Sequence, residues 1–270
     1  MGSSVPGKGK TLEEIELIAE ASQIVAGVLG MLKEHTVAGA TTKRLDEIAE
    51  DYIRSHGAEP AFKGYVVHGQ AFPATLCTSV NEAVVHGIPD LRPLQDGDIV
   101  SLDVGVKKNG FYGDSAITYS IGEPDELQAK LMRVTEESLW LGIEQAVAGN
   151  RVFDISRAVQ RHVETNGFSV VRELVGHGIG RSLHEDPAVP NFVPSPFQRH
   201  NFRNTQLTDG LVICIEPMVN AGTYRVSTLD DKWTVVTQDG KPSAHFEHTV
   251  VVREGAAEIL TKLPDAILHR

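Results

Sequence analysis

The segment SLDVGVKKNGFYGDSAITYS, residues 101–120, constrains the chain more than any other stretch. Asn109-Gly110 is a hairpin signal, because a two-residue type I′ turn needs positive φ at both central residues. It joins largely apolar runs at 98–108 and 111–120. Closed on a two-residue loop, the hairpin pairs Lys108 with Phe111 and sets Asp114 opposite Gly105. Asp103 lies two residues from Gly105, and side chains alternate faces along a strand. Asp103 and Asp114 therefore project from one face as diagonal neighbours. Val100, Leu102, Val104 and Val106 make this hairpin part of a core. Two carboxylates on a partly buried face repel, at a cost, unless something positive sits between them, and a divalent cation does this. Two alternatives stay open here: an edge or turn role for one Asp, and a bulge at Gly105 or Gly113 that shifts the register.

Around the hairpin the pattern mixes helices and strands. Thr11 and Glu14 form a capping-box pattern. Ile15, Ile18, Ala19, Ser22, Val25, Val28, Leu29 and Leu32 follow at helical spacing. A second helix is expected over 42–56, with Leu45, Ile48, Ala49 and Ile53 inward and Gly57 ending it. Two more are expected over 125–148 and 153–166. Strands are expected over 75–80, 98–106, 111–120, 211–216, 233–237 and 244–252, with a second turn at Asp239-Gly240. Hairpin-joined strands mean antiparallel or mixed sheets, so the class is α+β. No repeat or low-complexity linker divides the chain. A flexible tail over 1–10 and one domain over 11–270 are expected.

The carboxylates are in excess, 36 Asp+Glu against 25 Lys+Arg for a net charge of -11. That balance argues against wrapping nucleic acid or resting on an anionic membrane. No signal-peptide core opens the chain, and no uninterrupted apolar run of about 18 residues predicts a spanning helix. Cys77 and Cys214 are too few for a disulfide framework and read as buried thiols in a reducing compartment. The expectation is a cytoplasmic protein.

Other groups break their local pattern. His177 and His184 lie in VGHGIGRSLHEDP, a Gly-rich stretch that lets a ligand approach closely. Seven residues apart, they are too far for a helical metal clasp and suggest different roles. His86 sits beside Gly87 in NEAVVHGIPD. Glu216 ends the apolar LVICIEP, and Glu247 interrupts SAHFEHTVVV. A charge in a buried strand needs a partner, either a core ion pair or a cation. His248 points away from Glu247's face and reads as structural or supporting. Asp103, Asp114, His177, Glu216 and Glu247 together give four carboxylates and an imidazole, a donor set for Mn, Fe, Co, Zn or Mg. Four carboxylates are too many for one catalytic zinc and suggest two ions.

LDVGVKKNGFYGDSAITY, ELVGHGIGRSLHEDP, ICIEPMV, SAHFEHTVVV and NEAVVHGIPD resemble the motifs of type I methionine aminopeptidases, over about residues 12–262. The resemblance implies the pita-bread fold: a curved antiparallel sheet, helices on its outer face, and pseudo-twofold symmetry. It implies two divalent ions (Co, Mn, Fe or Zn), with Asp114 and Glu247 bridging both, Asp103 completing one, and His177 and Glu216 the other. A hydroxide bridging the ions would attack the first peptide bond, and Glu216 would shuttle its proton. His184 would donate to the developing oxyanion, and His86 would bind near the scissile amide. The substrate's free amine would reach a metal ion, so that one residue is removed. Tyr65, Cys77 and Trp233 match family pocket positions. The substrates implied are peptides and nascent chains with N-terminal Met, met close to the ribosome by a cytoplasmic monomer with no nucleic-acid or membrane partner of its own.

Some positions depart from that family. Phe62 stands where a small Cys is common, Leu183 where an aromatic residue is common, and His245 where Gln is usual. The stretches 66–77 and 188–206 are longer than expected and are placed beside the cleft. The nearest rival is a prolidase or aminopeptidase P, which shares the five ligand types. Such enzymes usually carry an extra N-terminal domain, and only about 100 residues precede Asp103 here. The 31-residue interval from Glu216 to Glu247 leaves no space for the helical insertion of the type II subfamily. A non-catalytic peptide-binding relative is the second rival; it would usually lack some of the ligands, and all five stand here with both helper histidines.

Overall fold

Asn109 and Gly110 take φ of 50° and 81°, as a type I′ turn requires. The structure, a computed structural model, describes residues 9–67, 69–198 and 200–262. The strands Ile99–Lys108 and Phe111–Ser120 pair without a bulge from Lys108↔Phe111 to Ile99↔Ser120. Asp114 faces Gly105 and Asp103 faces Ala116. Gly113 serves a close approach instead. Helix α1 (Leu12–His35) crosses the hairpin, and a Cβ on Gly113 would meet the Ser22 amide nitrogen at 2.6 Å. Gly113→Ala is therefore expected to destabilise the fold by about 1–3 kcal/mol, the usual cost of overpacking. A denaturant midpoint equal to wild type would show that α1 backs away freely.

Thr11 and Glu14 close the expected capping box at the start of α1. Its inward row, Ile18, Ser22, Val25, Leu29 and Leu32, is fully buried. By length and composition α1 is apolar enough to cross a membrane, with a mean hydropathy of 1.6. Within the protein 61% of that window is buried, so its apolarity goes into the core. The expectation, read from composition, that no helix is long and apolar enough to span is corrected by α1. Helix α2 (Thr42–Ser55) ends at Gly57, φ 65°. Helix α3 (Glu126–Glu144) stops short of the expected 148, because Val147 bridges Arg253 and the Ala148 N–H donates to the Arg253 carbonyl. Helix α4 (Val152–Thr165) falls where its periodicity puts it.

Among the described residues the main sheet has nine strands. Its path runs Glu59–Pro60, Ile99–Lys108, Phe111–Ser120, Glu247–Val251, Val212–Ile215, Gly176–Gly178 and Glu185–Val189. Leu76–Val80 pairs along Ile99–Lys108, and among the described residues the strands of this sheet pair antiparallel. Helices α1 and α2 bury Val25, Leu29, Leu45 and Ile53 with Val100 and Leu102 of the hairpin. Helices α3 and α4 bury Leu139, Ile143, Ile155 and Val159 with Ile213 and Val250. Two similar halves, each a strand pair backed by a helix pair, thus meet where Phe111–Ser120 pairs with Glu247–Val251. This is the α+β pita-bread architecture.

One expected strand divides. Residues 244–252 form Ser243–His245 and Glu247–Val251, which pair with Met218–Asn220 and Val212–Ile215 respectively. The break at Phe246 faces Pro217, which has no N–H to give a ladder. The strand expected over 233–237 is shorter, Val235–Thr237. The 66–77 stretch carries a small pairing of Val66–Val67 with Gln70–Ala71. Of the expected tail, residues 1–8 lie outside the described residues. Lys10 is described: its N–H donates to the Gly210 carbonyl and its side chain pairs with Glu185.

Candidate active site

The sheet register itself assembles the site. Cys77 pairs with Asp103, Asp103 with Ala116, and Ala116 with Glu247, so these residues form one row across four strands. Directly opposed residues share a face. Asp114 lies two positions from Ala116 on that face. Glu216 follows Ile215, whose partner is His248, so it continues towards Glu247. The small Ala116 at the row's centre leaves space between three carboxylates. His177, on Gly176–Gly178, brings its ring in from the next strand.

These groups open on a cavity of about 370 Å³, within the usual range of small-molecule sites. Every residue singled out for a role in the sequence lines it: Asp103, Asp114, His177, Glu216, Glu247, His86, His184, Phe62, Tyr65, Cys77 and Trp233. Leu183 lines it too. The 66–77 stretch contributes Val67, Phe72 and Cys77. The expectation that 188–206 flanks the cleft needs correction, since no described residue of that stretch lines the cavity. Its contribution is from behind, where the Asn191 side-chain amide donates to the Glu216 carbonyl at 2.9 Å. Sequence reasoning missed Leu174, Val175 and Met218 on the wall. It also assigned no place to His245. Met218 and His245 each lie two residues from a singled-out glutamate, and period two was the signal for them.

The polar atoms of this site are poorly satisfied by protein. Asp103 Oδ1, Asp114 Oδ1 and Glu247 Oε1 are buried with no hydrogen-bond partner among the described residues. Oxygens of Asp103, Asp114 and Glu247 lie within 4.8 Å of one another, close enough to share an ion. Burial pushes the Asp103 carboxyl well above the usual carboxylate range, and the Asp114 and Glu216 charges add to it. Burial also raises Asp114 to about 7. It raises Glu216 and Glu247 as well, with Asp114 the next cause for each. The imidazoles move the other way: burial lowers His177 to about 3 and His86 to about 4, and lowers His184. His177 Nε2 is 3.9 Å from Glu216 Oε1 and 4.0 Å from Asp114 Oδ2, but a neutral ring there cannot balance the acids. Four carboxylates with no positive partner among the described residues fit a site built for divalent cations. Cys214 also lies near His177 and Glu247. Burial pushes its thiol up, which keeps it protonated and a poor ligand.

Around this centre the donors are oriented. His177 Nδ1 donates to the Gly178 carbonyl at 2.9 Å, which leaves Nε2 as a free acceptor towards the carboxylates. His184 Nδ1 lies 2.9 Å from the Tyr65 hydroxyl. A phenol O–H donating there would leave the ring's proton on Nε2. The His177 and His184 rings are 4.3 Å apart. His86 takes φ of 58°, a left-handed conformation rare for a side-chain-bearing residue. It packs edge-on against Trp233, which also meets Phe72 edge-on at 5.1 Å.

Comparison with known proteins follows the same line. Residues 16–254 match the model of metallopeptidase family M24. The chain is 53% identical to a methionine aminopeptidase of Clostridium perfringens over 252 residues, 93% of this chain and 97% of that protein. It is 50% identical to methionine aminopeptidase 1 of Bacillus subtilis, over 94% of this chain and 98% of that one. The crystal structure of a methionine aminopeptidase from Thermotoga maritima superposes with a TM-score of 0.88 at 42% identity, covering 94% of this chain and 99% of that one.

Proposed function

The chain belongs to metallopeptidase family M24, as a type I methionine aminopeptidase that removes N-terminal methionine with divalent metal, and from that premise we propose how its residues do so. The observation that carries the reading is the set of orphaned oxygens, Asp103 Oδ1, Asp114 Oδ1 and Glu247 Oε1, in one cavity. Asp103, Asp114, His177, Glu216 and Glu247 would hold two divalent ions. Co, Mn, Fe and Zn suit these donors, and availability in the cell chooses among them. Bound there, such ions act as Lewis acids that acidify water and polarise a carbonyl.

The chain's own residues do the rest. Glu216 takes a proton from the attacking water and passes it to the leaving amine, acting first as general base and then as general acid. His184 Nε2–H donates to the oxygen where charge develops, and Tyr65 holds it in the tautomer that can. His86 binds beside the scissile amide, its ring edge-on to Trp233. Phe62, Tyr65, Cys77 and Trp233 form the methionine pocket, where aromatic rings and a neutral thiol suit a thioether. We place the enzyme in the cytoplasm, acting as a monomer on nascent chains near the ribosome, as one domain over 11–270.

The reading is tested with two peptides. Met-Ala-Ser is expected to be cleaved with kcat/KM more than about tenfold above Ala-Pro, the scale on which an apolar pocket discriminates. The reverse preference would favour a prolidase or aminopeptidase P specificity on this scaffold.

A further inference from the structure

The imidazole of His245 has no part in the reading above, yet it is the least satisfied polar side chain near the carboxylates. It is 1% exposed, and neither ring nitrogen has a hydrogen-bond partner among the described residues. Its place is fixed by backbone. The His245 N–H donates to Thr118 Oγ1 at 2.9 Å, and the same hydroxyl donates to the His245 carbonyl at 2.8 Å. The strand Ser243–His245 is held by Met218–Asn220, so the ring cannot be an accident of a loose loop.

The ring faces the carboxylates. Its Nε2 lies 3.5 Å from Glu216 Oε2. One donor atom each from His245, Glu216 and Glu247 lie within 4.8 Å of one another. A separation of 3.5 Å is long for a strong hydrogen bond. It matches two donors on a common ion, since ligands at about 2.0–2.2 Å and a tetrahedral angle sit about 3.4 Å apart. His177 Nε2 approaches the other oxygen of the same carboxylate, Oε1, at 3.9 Å. The two imidazoles therefore flank Glu216, one on each oxygen.

We propose that His245 is a further metal ligand, its Nε2 joining Glu216 and Glu247 on one ion. Resting on the metal-centre reading above, this adds a nitrogen donor to that ion beyond His177. An extra imidazole shifts preference towards Zn, Co, Fe and Ni and away from Mg and Mn. Its Nδ1 lacks the carbonyl that holds His177 Nδ1, so its contribution to affinity is the smaller of the two.

The test is zinc-edge X-ray absorption on wild-type protein loaded with two zinc ions, which counts imidazoles per metal. With His177 and His245 both bound the ratio is about one per zinc, and with His177 alone about one half. Zinc titration calorimetry on His245→Gln and His245→Ala is expected to show about tenfold weaker binding at one of two sites. A ratio near one half overturns the proposal even if the variants bind zinc less well, because His245 then acts only through its neighbours. Unchanged zinc affinity in either variant overturns it too. Should neither variant fold, the wild-type ratio still decides. A wild-type protein that binds no zinc overturns the metal-centre reading together with this one, whereas firm binding with a ratio of one half overturns this one alone.

Discussion

Exhaustive chelation is expected to reduce cleavage of Met-Ala-Ser to background, and added Co or Mn to restore it. The expectation follows from charge. Three buried carboxylate oxygens have no hydrogen-bond partner among the described residues, and the neighbouring rings are held neutral by burial. Among the described residues no positive group stands beside Glu216 to acidify a water, work that bound divalent metal would supply. Activity surviving in full in stripped protein would sink the mechanism.

The stripped protein should also show a distinctive pH dependence of stability. Asp114 rises from 3.8 unfolded to about 7 folded, and Asp103, Glu216 and Glu247 are raised as well. Between those limits the folded state holds protons that the unfolded chain has released, so stability falls as pH rises. The lowered histidines act oppositely, with stability lost as pH falls below 6.5 towards the folded values of about 3 for His177 and about 4 for His86. Above pH 6.5 only the carboxylates contribute. The gap in Tm between metal-loaded and stripped protein should therefore widen from pH 6.5 to 8. A gap that narrows over that range would contradict the carboxylate assignment.

What was legible in the sequence was local. The Asn109-Gly110 turn sets a register, and period two then places Asp103 and Asp114 on one face; both follow from twenty consecutive residues. The α1 capping box and buried row are equally local. What escaped depends on distant partners. The break at Phe246 follows from Pro217, some thirty residues earlier in the chain, and the early end of α3 follows from Arg253. His245 escaped for another reason. Period two from Glu247 puts its ring on that face, but only the pairing of distant segments shows what lies across from it. The register that pairs Ile215 with His248 continues past Phe246 to pair Met218 with His245, beside Glu216. The row Cys77, Asp103, Ala116, Glu247 was likewise invisible, because it spans four strands that only the folded sheet aligns.

His184→Ala is expected to lower kcat by about 10²–10³ while leaving metal stoichiometry intact. That is the usual cost of removing one donor aimed at a developing oxyanion. The geometry separates this role from ligation. His184 lines the cavity and its ring is 4.3 Å from that of His177. Among the described residues, though, it belongs to none of the clusters close enough to share an ion. Tyr65→Phe provides the graded comparison. It keeps the imidazole but removes the hydroxyl 2.9 Å from Nδ1, so the Nε2–H tautomer is no longer held. The loss should be about 5-fold, the worth of one neutral hydrogen bond of about 1 kcal/mol. The pair of variants distinguishes three roles. A large fall in kcat for His184→Ala with a small one for Tyr65→Phe, both at full metal content, is the oxyanion role. Loss of metal from His184→Ala with unchanged turnover per bound ion would make it a ligand. Unchanged kcat with raised KM in both would reduce the two residues to walls of the methionine pocket, and the charge developing in the transition state would need another donor.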